Sequence, residues 1–191
     1  MNSLSNERIT RCSWCGTGPL YVKNDDGEWG KEVHDDRVLF EFLILESAQA
    51  GLSWITILRK RENYREAFAG FDPLLVAQFT QEDVERLLQN SGIIRNRQKI
   101  EAAINNAKRF LEVQKEFGSF DEYMYSFMPE GKPINNSLRD LSQIAARTEI
   151  SDSISKDMKK RGFKFFGTTI CYAHMQATGM VNDHLSTCAF R

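Results

Sequence analysis

A chain of 191 residues that is 41% hydrophobic, 27% charged and 11% aromatic suits one soluble domain and is too apolar to be disordered. Its longest apolar run, residues 38–45, is interrupted by Glu41 and far too short to cross a bilayer, and the opening MNSLSNERIT lacks the apolar core of an export signal, so neither membrane insertion nor secretion is expected. A formal net charge of −1 excludes a polycation, so any nucleic acid must be held by a local basic patch.

In chain order, residues 1–10 read as a polar, flexible arm and 11–191 as a single domain. GTGPLYVKNDDGEWG reads as a loop rich in turn residues. A helix begins near Asp36, and its stretch VLFEFLILESAQA, apolar nearly all round, marks a central buried element. Gly51 breaks it, and Ser53 is placed to cap the next helix, ITILRKRENYREAF, which Gly70 and Asp72-Pro73 close. Thr80 and Asp83 form a capping box before EDVERLLQ. After the turn Asn90-Ser91-Gly92, a longer helix carries Ile100, Ala103, Ile104, Ala107 and Leu111 on one face. Residues 128–150 read as a long loop. A basic helix at 153–161 stops at Gly162, and the last helix, 168–178, ends at Gly179. Strand signals are scarce, so the expected class is all-α.

Two cysteine-containing pairs lie at opposite ends of the chain: Cys12 with Cys15, and His184 with Cys188. Such spacings let both members of a pair reach one zinc ion, which would join the two ends structurally; small buried cysteines beside a surface histidine are the alternative. In the buried helix, Glu41 and Glu46 point about 140° apart, so one narrow solvent stripe cannot hold both. At least one must face the interior or a cleft, either waiting for a ligand or neutralised by an arginine. Gln49 shares the Glu46 face. Trp14, Trp29 and Trp54 fall in loops or at helix starts, where they serve core packing or would stack on a flat cationic ligand. The turn NSGIIRNR, with its Arg95 and Arg97 and with Lys99, Lys108 and Arg109 beyond it, could offer backbone amides and cations to phosphate, although most charge runs are solvated faces.

RCSWCGTGPLY, DGEWG, LESAQAGLSWITILRKRENYREAF, NSGIIRNRQKI, KKRGFKFFGTTICY and VNDH together resemble the DNA-3-methyladenine glycosylase I family, over nearly the whole chain and in the family's order. The resemblance implies a helix-hairpin-helix fold with its hairpin at about 83–110, and a zinc site tying segments 12–25 and 184–188. It implies a monofunctional glycosylase that flips 3-methyladenine out of double-stranded DNA and hydrolyses its N-glycosidic bond, as a monomer in the bacterial cytosol. Glu46 would be the base-recognising, catalytic acid. Trp14, Trp29, Trp54, Gln49 and Asn24 would surround the base, and the Gly51-Leu52 turn would fill the gap in the stack. The hairpin around Gly92, with Arg95 and Lys99, would grip the backbone. The family usually reads Tyr-His-Asp where this chain has Asn24-Asp25-Asp26, so the stacking tyrosine and a zinc-ligating histidine are replaced. The implied zinc ligands are Cys12, Asp25, His184 and Cys188, with Cys15 as the alternative fourth. Action on a different modified base, or non-catalytic binding of damaged DNA, are the competing readings.

Overall fold

Residues 10–191 are described by a computed structural model of the chain; most of the polar arm expected at 1–10 lies outside them. The segment read as a loop after Gly16 contains a helix, α1 (Pro19–Gly27). Proline at its first position presets φ for a helix and forfeits only an amide that would be unpaired there. That helix turns Asn24 and Asp25 into the interior. Next comes α2 (Asp36–Gln49), opened by Asp35, whose carboxylate accepts from the amides of Arg37 and Val38. Every residue from Leu39 to Ala48 is buried, as a helix apolar on all sides requires.

The single helix expected through ITILRKRENYREAF (55–68) is two: α3 (Trp54–Leu58) and α4 (Arg61–Ala67). Ser53 stands at the N-cap of α3, but its hydroxyl pairs with Thr56 Oγ1 at 2.8 Å rather than with a backbone amide. After the short α5 (Pro73–Val76), α6 (Gln81–Gln89) opens on the expected capping box, the Thr80 amide donating to Asp83 at 2.9 Å. A turn leads to α7 (Arg97–Phe117), which buries Ile100, Ala103, Ile104, Ala107 and Phe110; Leu111 is only half-buried, and Phe110 takes its expected place in the core.

Helix α8 (Phe120–Tyr125) was not foreseen. Asp36 holds its start, accepting from the amides of Phe120 and Asp121 and from Gln114. The segment after Met128 is largely irregular, but it supplies β1 (Ile134–Asn135), paired in parallel with β2 (Val181–Asn182), Ile134 opposite Val181. Helix α9 (Glu149–Lys160) starts earlier than expected because Thr148 and Ser151 cap one another. Helix α10 (Thr168–Ala177) is followed by Gly179 at φ 72°, where a Cβ would lie 2.2 Å from the Lys31 carbonyl carbon. The molecule is mostly helical, with α2 packed between α7 and α10. No helix among the described residues is long and apolar enough to cross a membrane.

Candidate active site

The two acids of α2 meet opposite fates. Glu41 is clamped: Arg61 Nε and Arg65 Nη2 donate to its Oε1 at 2.5 and 2.8 Å, and Arg61 also pairs with Glu28. Glu46, 4% exposed, has no hydrogen-bond or ion-pair partner among the described residues. Burial alone pushes its carboxyl up to about 8. Burial therefore favours the neutral acid over the carboxylate, because nothing nearby offsets the cost of desolvating the charge.

Glu46 faces a cavity of about 310 Å³, walled by Trp14, Tyr21, Trp29 and Trp54 together with Leu141 and Ile144. Gln49, Ala173 and Gln176 also line it. A mostly apolar chamber of this size with one convergent acid is the usual form of a small-ligand site. Trp29 packs edge-to-face on Trp14, ring centres 4.7 Å apart, and Trp14 on Tyr21 at 5.6 Å. Sequence reasoning missed Tyr21, because it lies in a helix read as a loop. It missed Leu141 and Ile144 as well, whose only signal was apolar residues in an otherwise polar stretch.

Asn24 does not line this cavity. Its carbonyl accepts from Trp54 Nε1 at 3.0 Å and its amide donates to Glu28 at 3.1 Å, so it holds the indole from behind. The aromatic wall is complete without a ring at position 24.

Behind that wall the chain ends converge. The donor atoms of Cys12, His184 and Cys188 all lie within 4.8 Å of one another, and all three residues are buried. His184 Nε2 meets the Trp29 carbonyl at 3.0 Å; a carbonyl can only accept, so this nitrogen carries a proton. Nδ1 lies 3.4 Å from Cys12 Sγ and 3.9 Å from Asp25 Oδ1. Both Asp25 oxygens are buried without a hydrogen-bond partner, a costly arrangement for protein alone and a fitting one beside a cation. Two sulfurs, an imidazole nitrogen and a carboxylate oxygen are zinc's donor types. Cys15 is outside the triad, its Sγ 3.6 Å from the Gly16 carbonyl. The fourth cysteine, Cys171, is buried alone on α10.

A second chamber of about 280 Å³ shares Glu46, Gln49 and Ala173 with this cavity and is also lined by Ala50, Gly51 and Leu52 at the end of α2 and by Thr169 and Ile170 of α10. Gly51 adopts φ 80°, a conformation open to glycine, and Leu52 is 40% exposed. In the α6–α7 turn, Gly92 is needed for space: a Cβ would lie 2.9 Å from Asn63 and from Asn90. The amides of Gly92, Ile93 and Ile94 bond to Asn90 Oδ1, the Asn90 carbonyl and Tyr64 Oη, so these three are not offered outward as expected. Arg95 is exposed and forms no ion pair with the described residues. Lys99, expected on phosphate, turns inward instead: its Nζ donates to the carbonyls of Ala48 and Ala50 at 2.9 and 2.6 Å. Those groups would otherwise be unpaired at the end of α2, which gives the ammonium a site in the fold itself.

A model of the methyladenine glycosylase family matches residues 14–191. The chain is 51% identical over 180 residues to a protein of Escherichia coli (strain K12) named DNA-3-methyladenine glycosylase 1, covering 94% of this chain and 96% of that one. A DNA-3-methyladenine glycosylase of Haemophilus influenzae is 49% identical over 179 residues, with 94% and 96% covered. Among solved structures, a crystal structure of 3-methyladenine DNA glycosylase I superposes with a TM-score of 0.91 at 51% identity, covering 94% of this chain and 98% of that one. A Staphylococcus aureus enzyme, solved to show how it recognises 3-methyladenine, gives 0.91 at 36% identity, covering 95% and 96%.

Proposed function

The chain belongs to the methyladenine glycosylase family, and from that membership we infer that it hydrolyses the N-glycosidic bond of 3-methyladenine in alkylated DNA, leaving an abasic site without cutting the strand. We propose that Glu46 is the base-recognising acid. The observation that carries this assignment is a buried carboxyl with no protein partner, facing a cavity walled by four aromatic rings.

The chemistry suits so sparse a site. Methylation at N3 makes the purine in DNA cationic, so the bond from N9 to C1′ is already weakened. When that bond breaks, its electron pair goes to the base, which leaves neutral. Water adds its oxygen to C1′ and releases a proton, so no strong general acid is required. The enzyme must select the cation and hold it. Flipping the nucleotide costs a few kcal/mol, least for a damaged base. Once the base is inside, its charge offsets the desolvation that keeps Glu46 protonated, so the carboxyl ionises as the ligand arrives. Each well-placed ring of Trp14, Tyr21, Trp29 or Trp54 adds about 0.5–2 kcal/mol of cation–π attraction. A normal adenine offers neither gain and leaves a neutral acid facing a neutral base.

In this reading Cys12, Asp25, His184 and Cys188 would hold a structural zinc, which would tie the two ends of the chain together. Its support is the convergence of three donors with an unpartnered buried Asp25. The tie bears on the pocket because Cys12 lies two residues before Trp14, and His184 packs edge-on to Trp29 with ring centres 4.7 Å apart. The α6–α7 pair serves as the helix-hairpin-helix element, with Arg95 on the DNA backbone and Leu52 entering the stack. The relatives are bacterial, and the reading is of a cytosolic enzyme acting as a monomer on double-stranded DNA.

The test is to incubate the protein with methylated duplex DNA and quantify free bases. Release of 3-methyladenine well above the spontaneous rate is expected. Release at the spontaneous rate from protein that binds abasic-site DNA would leave a damage binder instead.

A further inference from the structure

Helix α7 holds two segments next to the chamber beside the pocket, the end of α2 and the loop that leads into α10. Early in α7, Lys99 holds the carbonyls of Ala48 and Ala50, on either side of Gln49 and directly before Gly51 and Leu52. The Gln49 carbonyl itself accepts from the Leu52 amide at 2.6 Å, so the end of α2 is closed by one internal bond and one lysine. Two turns further along the same face of α7, Asn106 grips the backbone of Lys164, five residues before the Thr169 that lines the chamber. Its amide donates to the Lys164 carbonyl and its oxygen accepts from the Lys164 amide, both at 2.8 Å, fixing the loop that leads into α10. Seven residues correspond to nearly two full turns, so Lys99 and Asn106 lie almost in line along the helix.

Resting on the function proposed above, we propose that Lys99 is a positioning residue of the pocket mouth, not a phosphate ligand. By binding the two carbonyls that flank Gln49 it sets the Gly51-Leu52 turn relative to Glu46, and it ties that turn to the second helix of the proposed DNA-gripping hairpin. Two of the three ammonium hydrogens are committed inward, and burial lowers the Lys99 pKa, as expected for a cation withdrawn from solvent. A cation used in this way leaves the counter-ion release of DNA binding unchanged, whereas a phosphate contact contributes to it. Arg95, exposed and without an ion pair among the described residues, supplies the comparison.

The experiment uses the full chain as wild type, Lys99→Met, Lys99→Arg and Arg95→Ala. Affinity for abasic-site duplex is measured from low to moderate salt, single-turnover excision is measured on methylated duplex, and free 3-methyladenine is titrated against tryptophan fluorescence. For Lys99→Met the salt slope should match wild type, while Arg95→Ala loses about 0.9 from it. Lys99→Met should lose about tenfold or more in excision yet still bind the free base, which shows that the pocket is intact. Lys99→Arg, which can still donate to both carbonyls, should recover most of the rate. A slope lowered by about 0.9 in Lys99→Met would make it a phosphate ligand and overturn the proposal; an unchanged excision rate would overturn it too. Wild type that releases no base would defeat the functional reading alone, since the slopes still decide what Lys99 does.

Discussion

Replacing Glu46 with Gln keeps the shape of the side chain and removes the charge that its surroundings resist. Burial raises this carboxyl from its ordinary 4.5 to about 8, which corresponds to roughly 5 kcal/mol between a folded protein carrying it protonated and one carrying it ionised. The unfolded chain ionises near 4.5 and the folded one near 8, so the folded state binds the extra proton across that window. The contribution of this residue to stability is therefore most favourable below the unfolded value, declines as pH rises, and reaches its minimum above about 8. At pH 7 about 3 kcal/mol has already been lost. Glu46→Gln should be about 3 kcal/mol more stable than wild type at pH 7, and should lack the decline of about 3–4 kcal/mol that wild type shows between pH 5 and pH 8. Urea unfolding of both proteins at those two pH values reads both effects. Equal stabilities with equal pH slopes would mean that the carboxyl is already paired or solvated, and the reasoning about its unpartnered burial would be refuted.

The same substitution one and a half turns earlier should act in the opposite direction. Glu41→Gln leaves Arg61 and Arg65 facing a lost partner, and should cost about 3 kcal/mol in urea unfolding; a neutral result would show the clamp to be inert. His174 gives the acid arm of the stability profile. Its Nε2–H donates to the Leu39 carbonyl at 3.1 Å, its Nδ1 is buried without a partner, and burial lowers its pKa to about 4. Stability present above the unfolded value of about 6.5 should thus fall by about 3 kcal/mol as pH drops to 4, and a His174→Gln variant should show a shallower fall; matching profiles would contradict this. For the metal, protein made in zinc-supplemented medium should carry about one zinc per chain and lose thermal stability on chelation. Asp25→Ala should weaken retention and Asp25→His preserve it, and a chain that carries no metal and melts identically with chelator would remove the site.

What could be read from the residues alone followed how local the determining interaction was. The all-round apolar pattern of α2 announced a central helix, and its two acids could not both reach water; the Thr80–Asp83 box and the Gly179 stop are likewise written within a few neighbouring residues. The meeting of Cys12 with His184 and Cys188 was signalled by ligand-type residues at short spacings at the two chain ends, whereas nothing in the spacing told Cys12 from Cys15. Periodicity carries no record of distant side-chain bonds, and there the reading failed. Lys99 looked like a free cation because the Ala48 and Ala50 carbonyls are about fifty positions away. Asn24 was placed at the pocket because it stands where the resembled family has a stacking tyrosine, and its actual partner, Trp54, lies 30 positions away. Helix α1 hid behind glycines and aspartates of low helical propensity, which tertiary burial of Asn24 and Asp25 overrides. Which of Glu41 and Glu46 would be neutralised depended on where α4 packs, and that is a property of the fold.

The central claim is that an unpartnered Glu46 waits for a cationic purine, and single-turnover release of 3-methyladenine from methylated duplex, enzyme in excess, tests it most directly. A cation about 4 Å from a carboxylate gains about 4 kcal/mol at an effective dielectric near 20. If only half of that is realised in the transition state, Glu46→Gln should slow release about 30-fold or more while binding abasic-site DNA as tightly as wild type. Release by the variant at the wild-type rate would contradict the account.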